Sequence, residues 1–156
     1  MHWTGIHASH PPENQRVIRT QWWQRHRLGT GLTALRDNRV FEYRDLTAIV
    51  AVEPPPPYRR IPCVCPGWDP SPRRKKDIVI FTGSTPDLYE RWLRDVVNRQ
   101  RARLSGEGGS GISPESLVFI NAWNEWGEGN RLEPCQKWGR AYLEATRRAL
   151  LQSVPQ

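Results

Sequence analysis

Two glutamates three positions apart, Glu125 and Glu128, lie in the stretch FINAWNEWGEGNRLEP, residues 119–134. Trp123 and Trp126 accompany them, with Asn121 and Asn124 just upstream. Two carboxylates held close repel one another as anions, so one keeps its proton more firmly. The result is an acid and a base made from identical side chains. Cleavage or transfer of a glycosidic bond uses that division of labour. A tryptophan offers a flat apolar face to a sugar ring, and an asparagine amide can both donate to and accept from hydroxyls. Gly127 and Gly129 give the backbone freedom to turn both carboxylates into one space. A plainer alternative stays open on spacing alone: two glutamates at a helix start, stabilised by its dipole.

Such residues need elements to position them, and in a parallel α/β fold chemistry gathers at the C-terminal ends of strands. Ile61–Cys65, Asp77–Phe81 and residues 116–123 (SLVFINAW) are short apolar runs, which suits parallel strands covered on both faces. Pro66-Gly67 stops the first run, so Trp68 and Asp69 follow a strand end, as the glutamates do. The spacing predicts a short helix over Tyr43–Val52, with Leu46, Ile49 and Val50 as its apolar stripe. Four prolines, Pro54 to Pro57, then form a stiff extended connector.

A longer helix is predicted over residues 86–104. Thr85 is placed as N-cap, Pro86 at the first helical position and Asp87 near the positive dipole end. Leu88, Trp92 and Val96, flanked by Tyr89, Leu93 and Val97, give it a wide apolar face. Residues 105–116 read as a flexible Gly/Ser loop. Residues 135–152 read as a second amphipathic helix marked by Trp138, Tyr142, Ala145 and Ala149. Strands alternating with helices indicate α/β architecture. Residues 1–40 show no clean period and stand apart as a poorly defined N-terminal segment, before a unit spanning 41–152.

The chain has 156 residues, enough for one domain but short of the roughly 250 of a complete (β/α)8 barrel. Its net charge of +7 favours anionic partners. The charge is spread from Arg16 to Arg148, and the run Arg73-Arg74-Lys75-Lys76 reads as a solvated loop. No helix-turn-helix, RNP or zinc pattern accompanies it, so no nucleic-acid partner is expected. Cys63, Cys65 and Cys135 form no CxxC pair, and Cys63 and Cys65, two apart and so on one face of a strand, read as reduced core residues. His2, His7, His10 and His26 lack ligand spacing, so neither a metal nor an organic cofactor is expected. No apolar run approaches the ~20 residues of a membrane span, and the N-terminus lacks the core of a signal peptide. As written, a cytoplasmic location is expected.

The stretch FINAWNEWGEGNRLEPCQKWGRAYLEATRRAL resembles the C-terminal signature of the WbsX-like proteins. These are glycoside hydrolase family 99-like domains of bacterial polysaccharide and lipopolysaccharide gene sets. VCPGWDPSPRR resembles the family's earlier Pro-Gly-Trp-Asp segment, and FTGSTPDLYERWLRD the segment between. The resemblance runs over roughly residues 41–150, with three motifs in family order.

It implies a (β/α)8 TIM-type barrel, of which this chain supplies the C-terminal part and is incomplete. It also implies a catalytic pair at Glu125 and Glu128 and a glycan or sugar substrate contacted by Trp68, Asp69, Asn121, Trp123, Asn124 and Trp126. By resemblance Glu125 takes the base role and Glu128 the acid role, with retention through an anhydro-sugar. The sequence departs from the family where Pro70 follows Asp69 in place of an asparagine, and in its longer proline run. On this reading a second chain is a candidate supplier of the missing barrel half, and the chain alone is expected to be inactive. The competing expectation is a truncated, inactive product or a glycan-binding remnant without catalysis.

Overall fold

A computed structural model of the chain describes residues 38–52, 58, 60–106 and 117–151. The N-terminal segment to residue 37, the proline connector at 54–57 and the loop at 107–116 lie outside the described residues.

The described part is mixed α/β, with short strands and three helices. Strand β1 (Arg39–Glu42) runs parallel to β3 (Val79–Thr82), with Arg39 opposite Val79 and Glu42 opposite Thr82. Strand β2 (Cys63–Val64) runs parallel to β4 (Phe119–Ile120). Helix α1 (Tyr43–Val52) leaves β1 directly, and α2 (Pro86–Gly106) lies between β3 and β4 in the chain. Helix α3 (Ala141–Leu151) follows the site region.

Several elements fall where their sequence places them. α1 covers its predicted span. α2 starts at Pro86, and Thr85 caps it by accepting from the Leu88 amide at 3.3 Å. Its face is buried at Tyr89, Trp92, Leu93, Val96 and Val97.

Others differ. The first predicted strand shortens to Cys63–Val64, and the third to Phe119–Ile120. The second begins two residues late, after Asp77 adopts a left-handed φ of 55°. β1 falls partly in the segment read as aperiodic: four residues show too little alternation to mark a strand. The last helix starts at Ala141 rather than 135. Cys135 and Gly139 exchange backbone hydrogen bonds of 3.2 and 2.7 Å, and Gly139 takes a φ of 52°. That closed turn bars an earlier helical start.

One core joins these parts. Helices α2 and α3 pack along each other, and the small Ala145 and Ala149 let the two axes come close. Glu90 locks the pair by accepting from Arg94 on its own helix and from Arg148 on α3 at 2.7 Å. Tyr43 stands fully buried, edge-on to Trp92 at 5.9 Å and near Phe81 at 6.5 Å. Its hydroxyl donates to the Cys65 carbonyl at 2.6 Å, which ties α1 to the end of β2.

Burial pushes the Cys65 thiol from 9.0 up to about 12, and the Tyr89 phenol from 10.0 up to about 12. In the unfolded chain both groups lose their protons earlier, so the folded state holds more protons in alkali. Stability is therefore full below pH 9 and falls as pH rises toward 12. Urea unfolding at stepped pH checks this. The expected slope reaches about 1.4 kcal/mol per pH unit per group, and Cys65→Ala should flatten its earliest part. A midpoint constant across that window would contradict it.

Candidate active site

The region around Glu125 and Glu128 is a hairpin rather than a helix start. Strand β5 (Asn124–Glu125) pairs antiparallel with β6 (Asn130–Arg131), setting Asn124 opposite Arg131 and Glu125 opposite Asn130. A single 3-10 turn, Trp126–Glu128, joins them. Gly129 closes it in the left-handed region, φ 60°, with its amide donating to the Trp126 carbonyl at 3.1 Å. Glu125 thus ends a strand and Glu128 ends the turn. Of the two glycines expected to supply unusual angles, only Gly129 does so. Gly127 serves by its size, because a Cβ there would meet Arg73 Cδ at 2.7 Å.

The loop after β2 closes on this hairpin, and the segment after β3 braces that loop. The Asp69 amide donates to the Glu128 carbonyl at 2.7 Å, and the Phe81 amide to the Trp68 carbonyl at 2.7 Å. Gly67 faces Gly129: a Cβ on Gly67 would lie 3.2 Å from the Gly129 oxygen. A Cβ on Gly129 would lie 3.0 Å from Asp69 Cβ and 3.1 Å from its backbone. Ser84 donates to the Pro66 carbonyl and shares a 2.8 Å hydrogen bond with the Tyr142 hydroxyl. The Cys65 thiol donates to the Gly67 carbonyl at 2.8 Å and lies 3.6 Å from Asn130 Oδ1. Asn130 is fully buried, and its Nδ2 has no partner among the described residues.

The named residues therefore divide. Asp69 and Glu128 are brought into direct contact through the backbone, and Asp69 Oδ1 also accepts from the Ser71 amide at 3.0 Å. Glu125 and Asn124 are exposed on β5. Asn121 extends the β2–β4 pairing by donating its amide to the Val64 carbonyl at 2.9 Å, and a cis peptide follows it. Trp68 is half-buried against the core. Trp123 and Trp126 keep 52% and 47% of their surface exposed. The Trp126 ring is held: its Nε1 donates to Glu133 Oε2 at 2.6 Å, and the Arg131 guanidinium lies 4.4 Å from the ring centroid.

Arg73, Ser84, Asn130, Arg131 and Glu133 were not foreseen as site residues. Asn130, Arg131 and Glu133 lie inside the motif stretch, and their positions there are the signal that could have marked them. Nothing in sequence spacing distinguishes Arg73 from its cationic neighbours. Among the described residues no group of three or more His, Cys, Asp or Glu is placed to hold a metal ion, and no helix is long and apolar enough to cross a membrane.

A family model described as glycosyltransferase WbsX matches residues 4–146, nearly the whole chain. The chain belongs to the WbsX family. The match begins well before residue 41, so the N-terminal segment, read as lying outside the resemblance, falls within it. Two relatives from strains of Xanthomonas campestris pv. campestris, each named uncharacterized protein WxcX, are 40% and 39% identical over 114 residues. Those residues are 73% of this chain but 15% of each relative's length. No solved structure matches. The family's description suggests carbohydrate-related activity.

In this WbsX chain, Gly129→Ala should be among the costliest small substitutions. The left-handed backbone alone costs about 1–2 kcal/mol for a residue with a Cβ, and the contact with Asp69 adds to it. Chemical denaturation should show that loss, with Gly127→Ala, whose φ is not positive, costing less. Equal stability of the Gly129→Ala protein would show that the two segments do not pack this closely.

Proposed function

We propose that this chain carries the catalytic end of a (β/α)8 barrel enzyme acting on glycosidic bonds in bacterial polysaccharide or lipopolysaccharide metabolism, with Glu125 and Glu128 as its acid–base pair. The observation that carries the reading is convergence. Three motifs separated in the chain pack in sequence behind Glu128: the hairpin that carries it, the Pro-Gly-Trp-Asp segment bonded to it through Asp69, and the Ser84 segment that holds Pro66 of that second motif. Parallel pairing of β2 with β4 supports strands of a barrel, and the site follows the ends of both. Exposed Ile61 and Leu117 beside that pair, and Phe119 within it, support further strands, from a longer chain or a second one, completing it.

Glu125 takes the proton of the sugar's 2-hydroxyl, and that oxygen attacks the anomeric carbon. The glycosidic bond breaks as Glu128 gives its proton to the departing oxygen. Glu128 then takes a proton from water, or from an acceptor hydroxyl in transfer. The new oxygen opens the anhydro-sugar, whose 2-oxygen recovers its proton from Glu125. Two inversions leave the configuration retained. Trp126, fixed by Glu133 and Arg131, offers its remaining face to the ring.

A second reading has its own support: Trp123 and Trp126 present exposed aromatic surface, enough for a glycan-binding role without catalysis. Glu128→Gln decides between them, with turnover measured in a longer family member carrying the same segment and stability in this chain. Turnover of bacterial polysaccharide should fall by at least about 100-fold, with stability changed by less than about 0.5 kcal/mol. Unchanged turnover would remove Glu128 from the chemistry. Wild-type binding of glycan with no product would favour the binding role.

A further inference from the structure

Arg73 stands in a cationic run that reads as a solvated loop, yet its side chain is placed with care. Its aliphatic stem crosses Gly127, where a Cβ would lie 2.7 Å from Arg73 Cδ. Beyond that crossing its Nη1 reaches Glu128 Oε1 at 3.3 Å. The turn that launches it is closed by the Arg73 and Arg74 amides, each donating to the Pro70 carbonyl at 3.0 Å. The residue before Pro70 is Asp69, whose amide holds the Glu128 carbonyl at 2.7 Å. One turn therefore grips Glu128 at both ends, by its backbone oxygen and by its carboxylate.

An exposed ion pair alone is a weak constraint, and the Arg73 side chain is 60% exposed against 27% for Glu128. Gly127 is what makes this pair specific. Its φ is not positive, so the backbone does not require glycine there. The arginine stem as it lies leaves no room there, and a side chain at 127 would displace it.

We propose that Arg73 is a positioning residue for Glu128, a role that rests on reading Glu128 as one of the catalytic carboxylates. The guanidinium occupies one carboxylate oxygen. The other is left to give its proton to the glycosidic oxygen and then to take one from water. A carboxylate turned away from that geometry by about 1 Å can lose about 100-fold in rate.

Labelling of carboxylates in the full chain with a water-soluble carbodiimide and glycinamide, read by peptide mass spectrometry, tests the grip without any substrate. Arg73→Gln and Gly127→Ala should each speed labelling at Glu128 by roughly two- to fivefold, the range an exposed ion pair is worth. Glu125 should be unchanged, the double variant should add nothing, and Arg73→Lys should restore part of the protection. Unchanged labelling at Glu128 in both single variants overturns the proposal. So does an equal rise at Glu125, which would report a loosened hairpin. A rise confined to Glu128, together with full turnover by Glu128→Gln, would keep the grip and remove the catalytic reading on which its role depends.

Discussion

The close fit of two backbones, residues 66–70 against 127–130, is the constraint on which the site depends. A Cβ on Gly67 would press on the Gly129 carbonyl and one on Gly129 would press on Asp69, so neither glycine takes a side chain without displacing the facing segment. A single amide-to-carbonyl bond, Asp69 to Glu128 at 2.7 Å, sets the register between them. Each segment alone would be a turn with several accessible shapes, and ordering one costs about 1–2 kcal/mol per residue in backbone entropy. Pressed together they limit each other's choices. The hairpin acquires its direction from the loop after β2, and that loop acquires its anchor from the hairpin.

The core supports this fit from below. Tyr142 lies on α3, shares a hydrogen bond with Ser84 at the entrance to α2, and packs 5.5 Å from Tyr89 within α2. Ser84 in turn holds Pro66, one residue before Gly67. The helix pair is thus linked to the glycine contact through two hydroxyl groups. Tyr43 makes a similar link from α1 to the Cys65 carbonyl. Buried hydroxyls with satisfied partners fix relative positions in a way apolar contact does not, because their geometry is directional. The shape of the site is set by these few polar bonds within an otherwise apolar core.

Periodicity carried the helices. Six apolar positions at three- and four-residue spacing are enough to mark α2, and Thr85, Pro86 and Asp87 mark its start. Two-residue strands leave no such mark: Cys63–Val64 and Phe119–Ile120 are too short for alternation. The hairpin was hidden for another reason. Asn124, Glu125 and Arg131 are polar and its strands are two residues each, so neither period emerges. Its chemistry was still legible, because a cluster of Trp, Asn and Glu after an apolar run is unusual by type rather than by period. The partners of Glu128 were not. Asp69 and Arg73 are 59 and 55 residues away in sequence, and pairing over such separation is a product of topology. The turn at Cys135–Gly139 depends on a left-handed glycine whose conformation no neighbouring residue announces.

The open side of the fold bears on how the proposed chemistry would operate. Glu125 is exposed and Trp123 and Trp126 are half in water, so charges here are screened and each hydrogen bond competes with solvent. Acid–base work on a glycosidic bond is strengthened when water is excluded and donors are fixed in a low-dielectric site. The hairpin fixes the carboxylate backbone but does not enclose it. Ile61 and Leu117 flank the β2–β4 pair and Phe119 lies within it, all three exposed, and the ends of the pair lead into Trp68 and Asn121. A surface packed there would extend the parallel sheet and raise a wall beside the site in the same event. Relatives in which this segment is 15% of the length have the chain to supply one. On the proposed reading, the local fold provides the placement of the two glutamates, and the reactivity waits on that enclosure.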